Sequence, residues 1–400
     1  MSQPMLSSKE ALEFLLSAVR PIKGVETLAT IAACGRILAQ DQSSLLHVPP
    51  VDNTQMDGYA VRASDCVSAE TRLRISQRIP AGYVAQALEP GTAARIFTGA
   101  MIPEGADAVV MQEQCQADGD FVIIKHQPRA GEWVRRQGED IQAGATILKA
   151  GTRLRAQELG LAASVGLAQL PVLRLLRVAV FFTGDELTMP GEPLKPGAIY
   201  NSNRFTLTGL LQEMGCVVTD YGIVPDQLDA TRETLRRASQ DHDLIITSGG
   251  VSVGEEDHIR PAVEAEGSLN MWQIAMKPGK PLAFGEVGQA FFIGLPGNPV
   301  SSFVTFLLFV RPFLLRMQGV EKVLPAAYPV RADFDWLKPD RRNEFLRARM
   351  NADGGLDLFA NQSSGVLTST VWGDGLIDLA PGQTIQKGDL VRYIPFSSFT

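Results

Sequence analysis

This chain of 400 residues has few cysteines and no excess of basic residues. Its four cysteines, Cys34, Cys66, Cys115 and Cys216, lie far apart and form no C-x-x-C pair, so the sequence predicts neither a disulfide framework nor a zinc site. Aspartate and glutamate outnumber lysine and arginine by 44 to 37, which gives a formal charge of -7. Because binding to a phosphate backbone depends on clustered basic residues, this balance argues against a nucleic-acid-binding protein.

Long apolar runs are also missing. The longest, Phe303–Val310, includes a threonine and ends at Arg311, far short of the roughly 20 residues that span a bilayer. Near the start of the chain, Lys9, Glu10 and Glu13 stand where a signal peptide needs an unbroken apolar segment. Together with the scarcity of cysteine, these features predict a cytoplasmic protein without a membrane-spanning segment.

The length of the chain predicts several domains, because a single hydrophobic core rarely grows beyond roughly 250–300 residues. A capping-box pattern of Ser7 and Glu10 predicts a first helix. Over residues 49–144, short apolar runs separated by Gly and Pro predict a mostly β unit, and a short helix is expected after Gln157. From about Leu324, period-two segments predict a small β domain at the end of the chain.

Between Val178 and Met317 the sequence alternates between strand-like and helix-like segments. Continuous apolar runs such as VAVFF and DLIIT alternate with helix patterns, which is typical of a parallel sheet that is covered on both faces. We therefore predict a doubly wound α/β domain here. The apolar segment VSSFVTFLLFVRPFLLRM is expected to form a helix that packs across the sheet.

Three loops of the predicted sheet carry polar and acidic residues directly after a strand, at the edge where doubly wound sheets bind ligands. The first contains Thr183, Gly184, Asp185 and Glu186, the second Asp226, and the third Ser248, Gly249, Gly250, Ser252, Gly254 and Asp257. Closely spaced glycines let backbone N–H groups face an anion, so the third loop is a candidate phosphate cradle. A sharp strand-to-helix turn explains the same glycines equally well.

The acidic residues of these loops favour a cation site. At one sheet edge their carboxylates would repel one another unless a hard cation such as Mg²⁺ bridged some of them to a substrate phosphate. The residues concerned are Asp185, Glu186, Asp226 and Asp257. Helix N-capping by one or two of the four is the alternative, and the sequence leaves both explanations open.

Two proline-containing loops complete the candidate site in this domain. Lys277 and Lys280 flank a Pro-Gly turn that could hold two ammonium groups over an anion, although a solvated turn is the commoner role of such a sequence. Directly before the apolar helix stand Pro296, Gly297, Asn298 and Pro299. Their nearly fixed backbone suits either the positioning of a ligand or a purely structural cap.

The β unit adds three short motifs that each resemble an ordinary turn. They are MDGY with Asp57, FTGA with Thr98 and GED with Asp140. Taken singly, the two aspartates would be counted as surface carboxylates.

Together and in this order, the motifs resemble the MoeA family of molybdopterin molybdenumtransferases, which includes the C-terminal domain of gephyrin. The similarity runs from about Pro49 to the C-terminus. It rests on MDGYAV (56–61), IFTGAMIPEGADAVV (96–110), GEDI (138–141), TGDEL (183–187), SGGVSVGEED (248–257), KPGKP (277–281), GLPGNPVS (294–301) and SSGVLTS (363–369).

The resemblance implies a fold and an activity. The implied architecture has an elongated domain formed by residues 1–48 and 143–176, an inserted β domain at 49–142, the α/β molybdopterin-binding domain at 177–323 and a C-terminal β-barrel at 324–400. The implied activity is the insertion of molybdate into adenylylated molybdopterin with Mg²⁺-dependent release of AMP. A diphosphate-linked substrate and an oxyanion both need an N–H-rich or positive pocket, as the loops above supply.

The resemblance also assigns residues to this activity. It implies substrate and Mg²⁺ handling by Asp185, Glu186, Asp226 and Asp257, attraction of molybdate or phosphate by Lys277 and Lys280, and a pocket wall shaped by Pro296 and Pro299. Asp57, Thr98 and Asp140 match positions at which the β domain of one subunit completes the site of the other in a homodimer. Contact with the molybdopterin adenylyltransferase is implied as well. Asn201 stands where Asp is common in the family.

Two alternatives remain at this stage. The related MogA proteins share an α/β domain of this type, so the chain could instead adenylylate molybdopterin; the additional β domains and the GEDI and MDGYA motifs favour the molybdenumtransferase. A non-catalytic scaffold that keeps the fold for protein binding is the other alternative. The intact acidic residues and both lysines argue against that role.

Overall fold

The computed structural model describes residues 5–68, 70–250 and 258–399. Contacts divide the chain into two compact units. The larger unit comprises Met1–Glu26, Gly35–Ala39 and Pro171–Thr400, and the smaller comprises Thr27–Cys34 and Gln40–Leu170. Each unit is therefore built from separated stretches of chain. The boundaries of the four expected domains stay a prediction.

A six-stranded sheet forms the centre of the larger unit. Its strands are β1 (Arg177–Thr183), β2 (Val217–Val224), β3 (Leu244–Ser248), β4 (Gly267–Gln273), β5 (Pro281–Val287) and β6 (Ala290–Leu295). In space they follow the order β2-β1-β3-β6-β5-β4. Strands β2, β1, β3 and β6 are parallel, so their carboxyl ends share one edge of the sheet.

Both faces of this sheet are buried. Along β1, Val178, Val180 and Phe182 pack into one hydrophobic cluster, and Ala179 and Phe181 pack into another. All five side chains are fully buried. Since alternate residues of a strand point to opposite faces, this continuous apolar run requires cover on both sides. The predicted doubly wound α/β domain is confirmed.

Four helices accompany the sheet. They are α1 (Ser202–Glu213), α2 (Leu228–Asp241), α3 (Ile259–Glu266) and α4 (Pro299–Met317). A π-helical turn, Phe306–Val310, precedes Pro312 in α4, where the missing proline N–H interrupts the regular hydrogen-bond ladder. By length and composition α4 could cross a membrane, but 83% of its most apolar window is buried inside the protein, as in a core helix.

Two strands at one edge run against the rest. Strand β5 is antiparallel to β6, and β4 is antiparallel to β5, so the sheet is mixed rather than parallel throughout. Only Gly288 and Gln289 separate β5 from β6, which is too short for the crossover that a parallel pair needs. Neither β4 nor α3 was predicted, because GSLNMWQ has no continuous apolar run and α3 has only 8 residues.

The N-terminal helix, Ser8–Ala18, begins with the predicted capping box. Ser7 Oγ accepts a hydrogen bond from Glu10 N at 3.2 Å, and the Glu10 carboxylate accepts one from Ser7 N at 2.8 Å. Leu15 is fully buried in the same cluster as one face of the sheet. The helix is thus part of the larger unit.

The C-terminal part of the larger unit is a small barrel. Its strands are β7 (Tyr328–Arg331), β8 (Asn343–Met350), β9 (Leu356–Leu358), β10 (Gly375–Leu379) and β11 (Leu390–Pro395). Antiparallel pairing runs in the order β7-β11-β10-β8-β9. A bridge between Ala332 and Leu356 then links the end of β7 to β9, so the sheet closes on itself as predicted. A short strand, Met276–Lys277, pairs with β8 as well.

The smaller unit contains the predicted β structure. Its six-stranded sheet has the order Ala108–Met111, Gly58–Val61, Thr92–Ile96, Thr71–Ile79, Phe121–Ile124 and Cys115–Asp118. A helix at Ala156–Ser164 agrees with the short helix expected after Gln157.

The remaining elements are short. The strands are Val25–Ala29, Gln42–Ser43, Asn53–Thr54, Val134–Arg135, Thr146–Leu148, Gln169–Leu173, Leu187–Thr188 and Ile199–Tyr200. The helical turns are Thr30–Ala32, Ala63–Asp65, Gln112–Gln114, Thr368–Trp372 and Phe396–Phe399.

A partly buried ion pair holds the starts of β1 and β3 together. Arg174 donates from its two terminal nitrogens to the Asp243 carboxylate at 2.8 and 2.6 Å, and Arg177 N donates to the same group at 2.9 Å. Burial favours the neutral acid, but the hydrogen bonds from the two arginines outweigh it, and the pKa of Asp243 is lowered.

We expect Asp243→Asn to lower the free energy of unfolding by about 2–3 kcal/mol at neutral pH, because Arg174 loses a charged partner. A carboxyl group whose pKa is depressed by folding stabilises the protein above its unfolded pKa, and that stabilisation is lost as the pH falls through the folded pKa. In urea unfolding, the difference in unfolding free energy between wild type and variant should therefore narrow below about pH 4. A difference in unfolding free energy that stays constant from neutral to acidic pH would contradict this account.

Candidate active site

A cleft of about 720 Å³ lies at the carboxyl edge of the sheet. Thr183 and Ser248, the last residues of β1 and β3, line it together with Glu186 and Gly249. The other lining residues that the sequence predicted are Lys277, Lys280, Pro296, Gly297, Asn298 and Pro299. The structure thus brings ten of the predicted residues to one cavity, and all of them belong to the larger unit.

Three chain segments are tied together at the floor of this cleft by hydrogen bonds. Ser248 Oγ donates to the carbonyl of Pro296 at 2.9 Å. Asn203 Nδ2 in turn donates to Ser248 Oγ at 2.8 Å and to the carbonyl of Gly297 at 2.7 Å. Ser248 and Asn203 are only 3% and 9% exposed, so these bonds are shielded from water. Asn203 was not among the predicted site residues.

The loop after β1 folds the Glu186 carboxylate back over Gly184. The φ of Gly184 is +145°, a conformation that favours glycine, and a Cβ there would lie 2.6 Å from Glu186 Oε2, so the carboxylate would have to move. Asp185 is exposed, and neither it nor Gly184 lines the cleft. Of the predicted acidic residues that the structure describes, only Glu186 lines the cavity.

The predicted metal site is only partly described. Asp226 follows β2 at the same edge but does not line the cleft, and Gly250 does not line it either. Ser252, Gly254 and Asp257 lie outside the described residues. Within the described ranges, no group of three or more His, Cys, Asp or Glu side chains converges. Asp185, Glu186 and Asp226 therefore do not form a metal site by themselves, and the four-acid site stays a prediction.

The two predicted lysines differ in their surroundings. Lys277 Nζ lies 2.8 Å from Glu344 Oε1 and 3.6 Å from Asp340 Oδ2. Glu344 is only 2% exposed and also accepts a hydrogen bond from Trp336 Nε1 at 2.9 Å. Lys280 is exposed and forms no ion pair with any residue that the structure describes. The charge of Lys277 is thus largely balanced, and the placement of both ammonium groups over an anion stays a prediction.

The barrel contributes lining residues that the sequence did not predict. They are Arg342, Gln362, Ser363 and Ser364. Arg342 donates to Asp340 at 2.9 Å, and this bond holds the pKa of Asp340 well below its usual range. The motif SSGVLTS had marked this segment, but no chemistry was assigned to it.

The predicted residues of the β unit, Asp57, Thr98 and Asp140, belong to the smaller unit. Thr98 donates from both its backbone N and its Oγ1 to Asp57 Oδ1, at 2.8 and 2.6 Å. These two bonds lower the pKa of Asp57, which is therefore ionised at neutral pH. Asp140 is exposed, and its backbone N donates to the carbonyl of Val48 at 3.0 Å. None of the three is among the lining residues of the cleft in the described part of the chain.

Comparisons with known proteins show which family this chain is similar to. Residues 6–166 match the family model "MoeA N-terminal region (domain I and II)", residues 179–316 match "Probable molybdopterin binding domain", and residues 329–396 match "MoeA C-terminal region (domain IV)". The Molybdopterin molybdenumtransferase of Haemophilus influenzae is 44% identical over 79% of this chain and 78% of its own. That of Nostoc sp. is 36% identical over 98% and 94% of the two chains. The chain belongs to the MoeA family. The prediction of a transferase of this family is confirmed.

The fold is shared with solved MoeA structures. A crystal structure of the molybdopterin biosynthesis MoeA protein from Pyrococcus horikoshii has a TM-score of 0.86 and 28% sequence identity to this chain, covering 98% of it and 100% of the neighbour. A second structure from the same organism has a TM-score of 0.80 and 31% identity, with coverages of 98% and 99%. The predicted multidomain architecture of α/β and β parts is confirmed.

Asn201 occupies the position where MoeA proteins were expected to have Asp. It is the N-cap of α1, and its side-chain oxygen accepts a hydrogen bond from Arg204 N at 3.1 Å. Asn and Asp cap helices about equally well. The exchange therefore preserves the local structure while removing one negative charge from the lining of the cleft.

We expect Lys277→Met to lower the free energy of unfolding by about 3 kcal/mol, because Glu344 would remain buried without its cation. The double variant Lys277→Met/Glu344→Gln should regain most of that loss, because neither charge remains. A double-mutant cycle measured by urea unfolding gives the coupling energy.

The matched control is Lys280→Met, whose side chain is exposed. This change should alter stability by less than about 0.5 kcal/mol. Equal and small effects of the two lysine substitutions would show that Lys277 and Glu344 are not coupled.

Proposed function

We propose that the cleft binds adenylylated molybdopterin and molybdate, releases AMP in a Mg²⁺-dependent step and inserts the molybdenum into the dithiolene. The observation that carries this proposal is the convergence on one cavity of the loops after β1, β3 and β6 with basic and hydroxyl side chains of the barrel. A substrate with a diphosphate at one end and an oxyanion partner at the other needs both sets of groups.

The diphosphate is assigned to the sheet side of the cleft. Gly249 has a φ of +98°, which turns the chain sharply after β3, and glycine-rich turns of this kind expose backbone N–H groups to anions. The neighbouring Ser248 hydroxyl is already committed to the carbonyl of Pro296, so its role is structural. The Asn298 side chain makes no capping bond to α4 and is available to a ligand.

The oxyanion is assigned to the barrel side. Lys280 brings positive charge to the lining, Arg342 brings a guanidinium that is paired with Asp340, and Ser363 and Ser364 bring hydroxyl donors. Tetrahedral oxyanions are bound by such combinations of charge and hydrogen-bond donors. Lys277 contributes less than the sequence indicated, because Glu344 balances its charge.

The donors present also fit Mg²⁺. This ion is usually held by one or two carboxylates together with substrate phosphates and water, so Glu186 at the cleft can serve without an all-protein cage. When bound there, Mg²⁺ would neutralise the negative charge of the diphosphate. The residues of this chain then orient the substrate and keep its phosphates at the edge of the sheet.

The proposed reaction consists of cleavage of the diphosphate and insertion of molybdenum. Water adds to one phosphorus of the diphosphate and the P–O–P bond breaks, giving AMP and the phosphate of molybdopterin. Two Mo–S bonds form as one oxygen of molybdate leaves as water with the two thiol protons.

We expect the purified protein to release AMP from adenylylated molybdopterin when both Mg²⁺ and molybdate are present. Glu186→Gln should reduce the rate at least about 100-fold, because it removes the one described carboxylate of the cleft, while its unfolding transition stays that of the wild type. AMP release is measured by chromatography, with tungstate as a second oxyanion.

Asp185→Asn is the matched control, because its carboxylate is adjacent but does not line the cleft. Wild-type turnover by Glu186→Gln would refute the assigned role. If the protein instead formed adenylylated molybdopterin from molybdopterin and ATP without an added adenylyltransferase, the alternative activity would be established.

We also propose that the active site is shared between two subunits of a homodimer. The support is that Asp57 and Thr98 form a fixed, ionised pair at the surface of the smaller unit, whereas the cleft lies wholly in the larger unit. Ile199, which lines the cleft, and the nearby residues Tyr200 and Phe205 in the sequence are 45–56% exposed, which suits a surface that a partner covers. Contact with the adenylyltransferase stays a prediction.

Mixing two inactive variants tests the shared site. Asp57→Ala and Glu186→Gln should each be inactive alone, but a dimer of the two would keep one intact site. A refolded equimolar mixture should therefore recover about a quarter of wild-type AMP release, since half of the dimers are mixed and each has one working site. No recovery in a mixture shown to contain mixed dimers would place both residues in the same site of one chain.

A further inference from the structure

Arg347 is a fully buried arginine next to the barrel side of the cleft. It lies in the middle of β8 and is only 1% exposed. Burial lowers its pKa to about 10, so the guanidinium is still charged at neutral pH. A buried charge is unfavourable unless it is paired or fully hydrogen-bonded, so this guanidinium needs compensating partners.

The compensation comes from neutral oxygens. Nε donates to Ser369 Oγ at 3.1 Å, one terminal nitrogen donates to the carbonyl of Phe345 at 3.1 Å, and the other donates to the carbonyl of Ser363 at 3.4 Å. Among the residues that the structure describes, no carboxylate lies within ion-pair distance of this guanidinium. Its positive charge is therefore solvated by dipoles but not cancelled.

The same arginine shapes the segment 362–364, which lines the cleft. The Gln362 side chain accepts from Arg347 N at 2.9 Å and donates to its carbonyl at 3.0 Å. The carbonyl of Ser363 is held by the guanidinium, and the carbonyl of Ser364 accepts from Val300 N at 3.0 Å. With both carbonyls engaged inside the protein, the serine hydroxyls are the polar groups left on this segment to meet a ligand.

Among the residues that the structure describes, the charges around this end of the cleft do not cancel. Lys277 is matched by Glu344, and Arg342 is matched by Asp340. Lys280 and Arg347 remain without a carboxylate partner within the described ranges. Two uncancelled positive charges, one at the surface of the cleft and one behind it, suit a doubly charged anion. In a low-dielectric interior the buried charge acts over several ångströms.

We propose that Arg347 is a positioning residue of the oxyanion end of the cleft. It turns the carbonyl of Ser363 away from the ligand and adds positive potential behind the serines, without touching the ligand itself. The proposal rests on the proposed function, in which molybdate binds beside Lys280, Arg342 and Ser363.

Two measurements on the full chain test it: titration calorimetry with sodium molybdate, and the KM values for molybdate and for adenylylated molybdopterin in the AMP-release assay. Arg347→Met should weaken molybdate binding at least about tenfold, because it removes the buried positive charge behind the serines and frees the carbonyl of Ser363, and it should raise the KM for molybdate equally. The KM for adenylylated molybdopterin should not change. Arg347→Lys keeps the charge but not the planar fork, so an intermediate loss is expected.

The matched control is Arg311→Met. Arg311 is also buried, at 8% exposure, and donates to the carbonyls of Phe399 and Val323, but it does not line the cleft. It should reduce stability and leave both KM values as in the wild type. If Arg347→Met does not fold, molybdate binding and the two KM values are measured for Arg347→Lys and for Ser369→Ala. The second change removes the hydroxyl that accepts from Arg347 Nε.

Several outcomes would overturn the inference. Wild-type molybdate affinity in a folded Arg347 variant would do so, and so would an equal rise of both KM values, which indicates a general loss of structure. If the wild type released AMP and bound molybdate, but the Arg347 variants kept its molybdate affinity, the inference alone would fall. If the wild type released no AMP, the proposed function would fail first.

Discussion

The hydrogen-bonded chain from Asn203 through Ser248 to the carbonyl of Pro296 is the constraint on which the site depends. It joins the first turn of α1, the last residue of β3 and the loop after β6. Without Ser248 and Asn203, the carbonyls of Pro296 and Gly297 would lose these donors. An unsatisfied buried polar group destabilises a protein by about 1–3 kcal/mol. The start of α1, the end of β3 and the loop after β6 are thereby held relative to one another before any ligand arrives.

Among the described residues, two of the contacts between the barrel and that edge lie at the cleft. Val300 N, in the first turn of α4, donates to the carbonyl of Ser364, and Lys277 pairs with Glu344 both along the strand and through its side chain. Both attachments lie within or beside the cleft lining. The side chains that the barrel contributes are therefore positioned by the same elements that position the loops of the sheet. This explains how residues about 60 to 180 positions apart in the chain can form one rigid cavity.

The sequence predicted the doubly wound domain because buried parallel strands leave continuous apolar runs, and it predicted the glycine and proline loops because their backbone is restricted locally. It did not predict Asn203, whose partners at Ser248 and Gly297 are 45 and 94 residues away. Nothing in the local pattern around NSNRF distinguishes a helix-start asparagine that caps from one that bonds across the sheet. Arg342 and Ser363 were missed because both lie in loops, one just before β8 and the other after β9, where no periodic pattern marks the side chains that face the cleft.

The two lysines of KPGKP show why residue type alone could not settle the electrostatics of the site. They are three residues apart and look equivalent, yet one faces a carboxylate that is 2% exposed and the other faces solvent. Gly279 between them has a φ of +105°, and a Cβ there would lie 2.5 Å from Thr305 Oγ1, so the turn packs directly against α4. That packing points Lys277 toward β8 and leaves Lys280 at the opening. The proposed binding of an anion in this cleft therefore depends on which charges remain uncancelled after folding, and less on how many lysines and arginines line it.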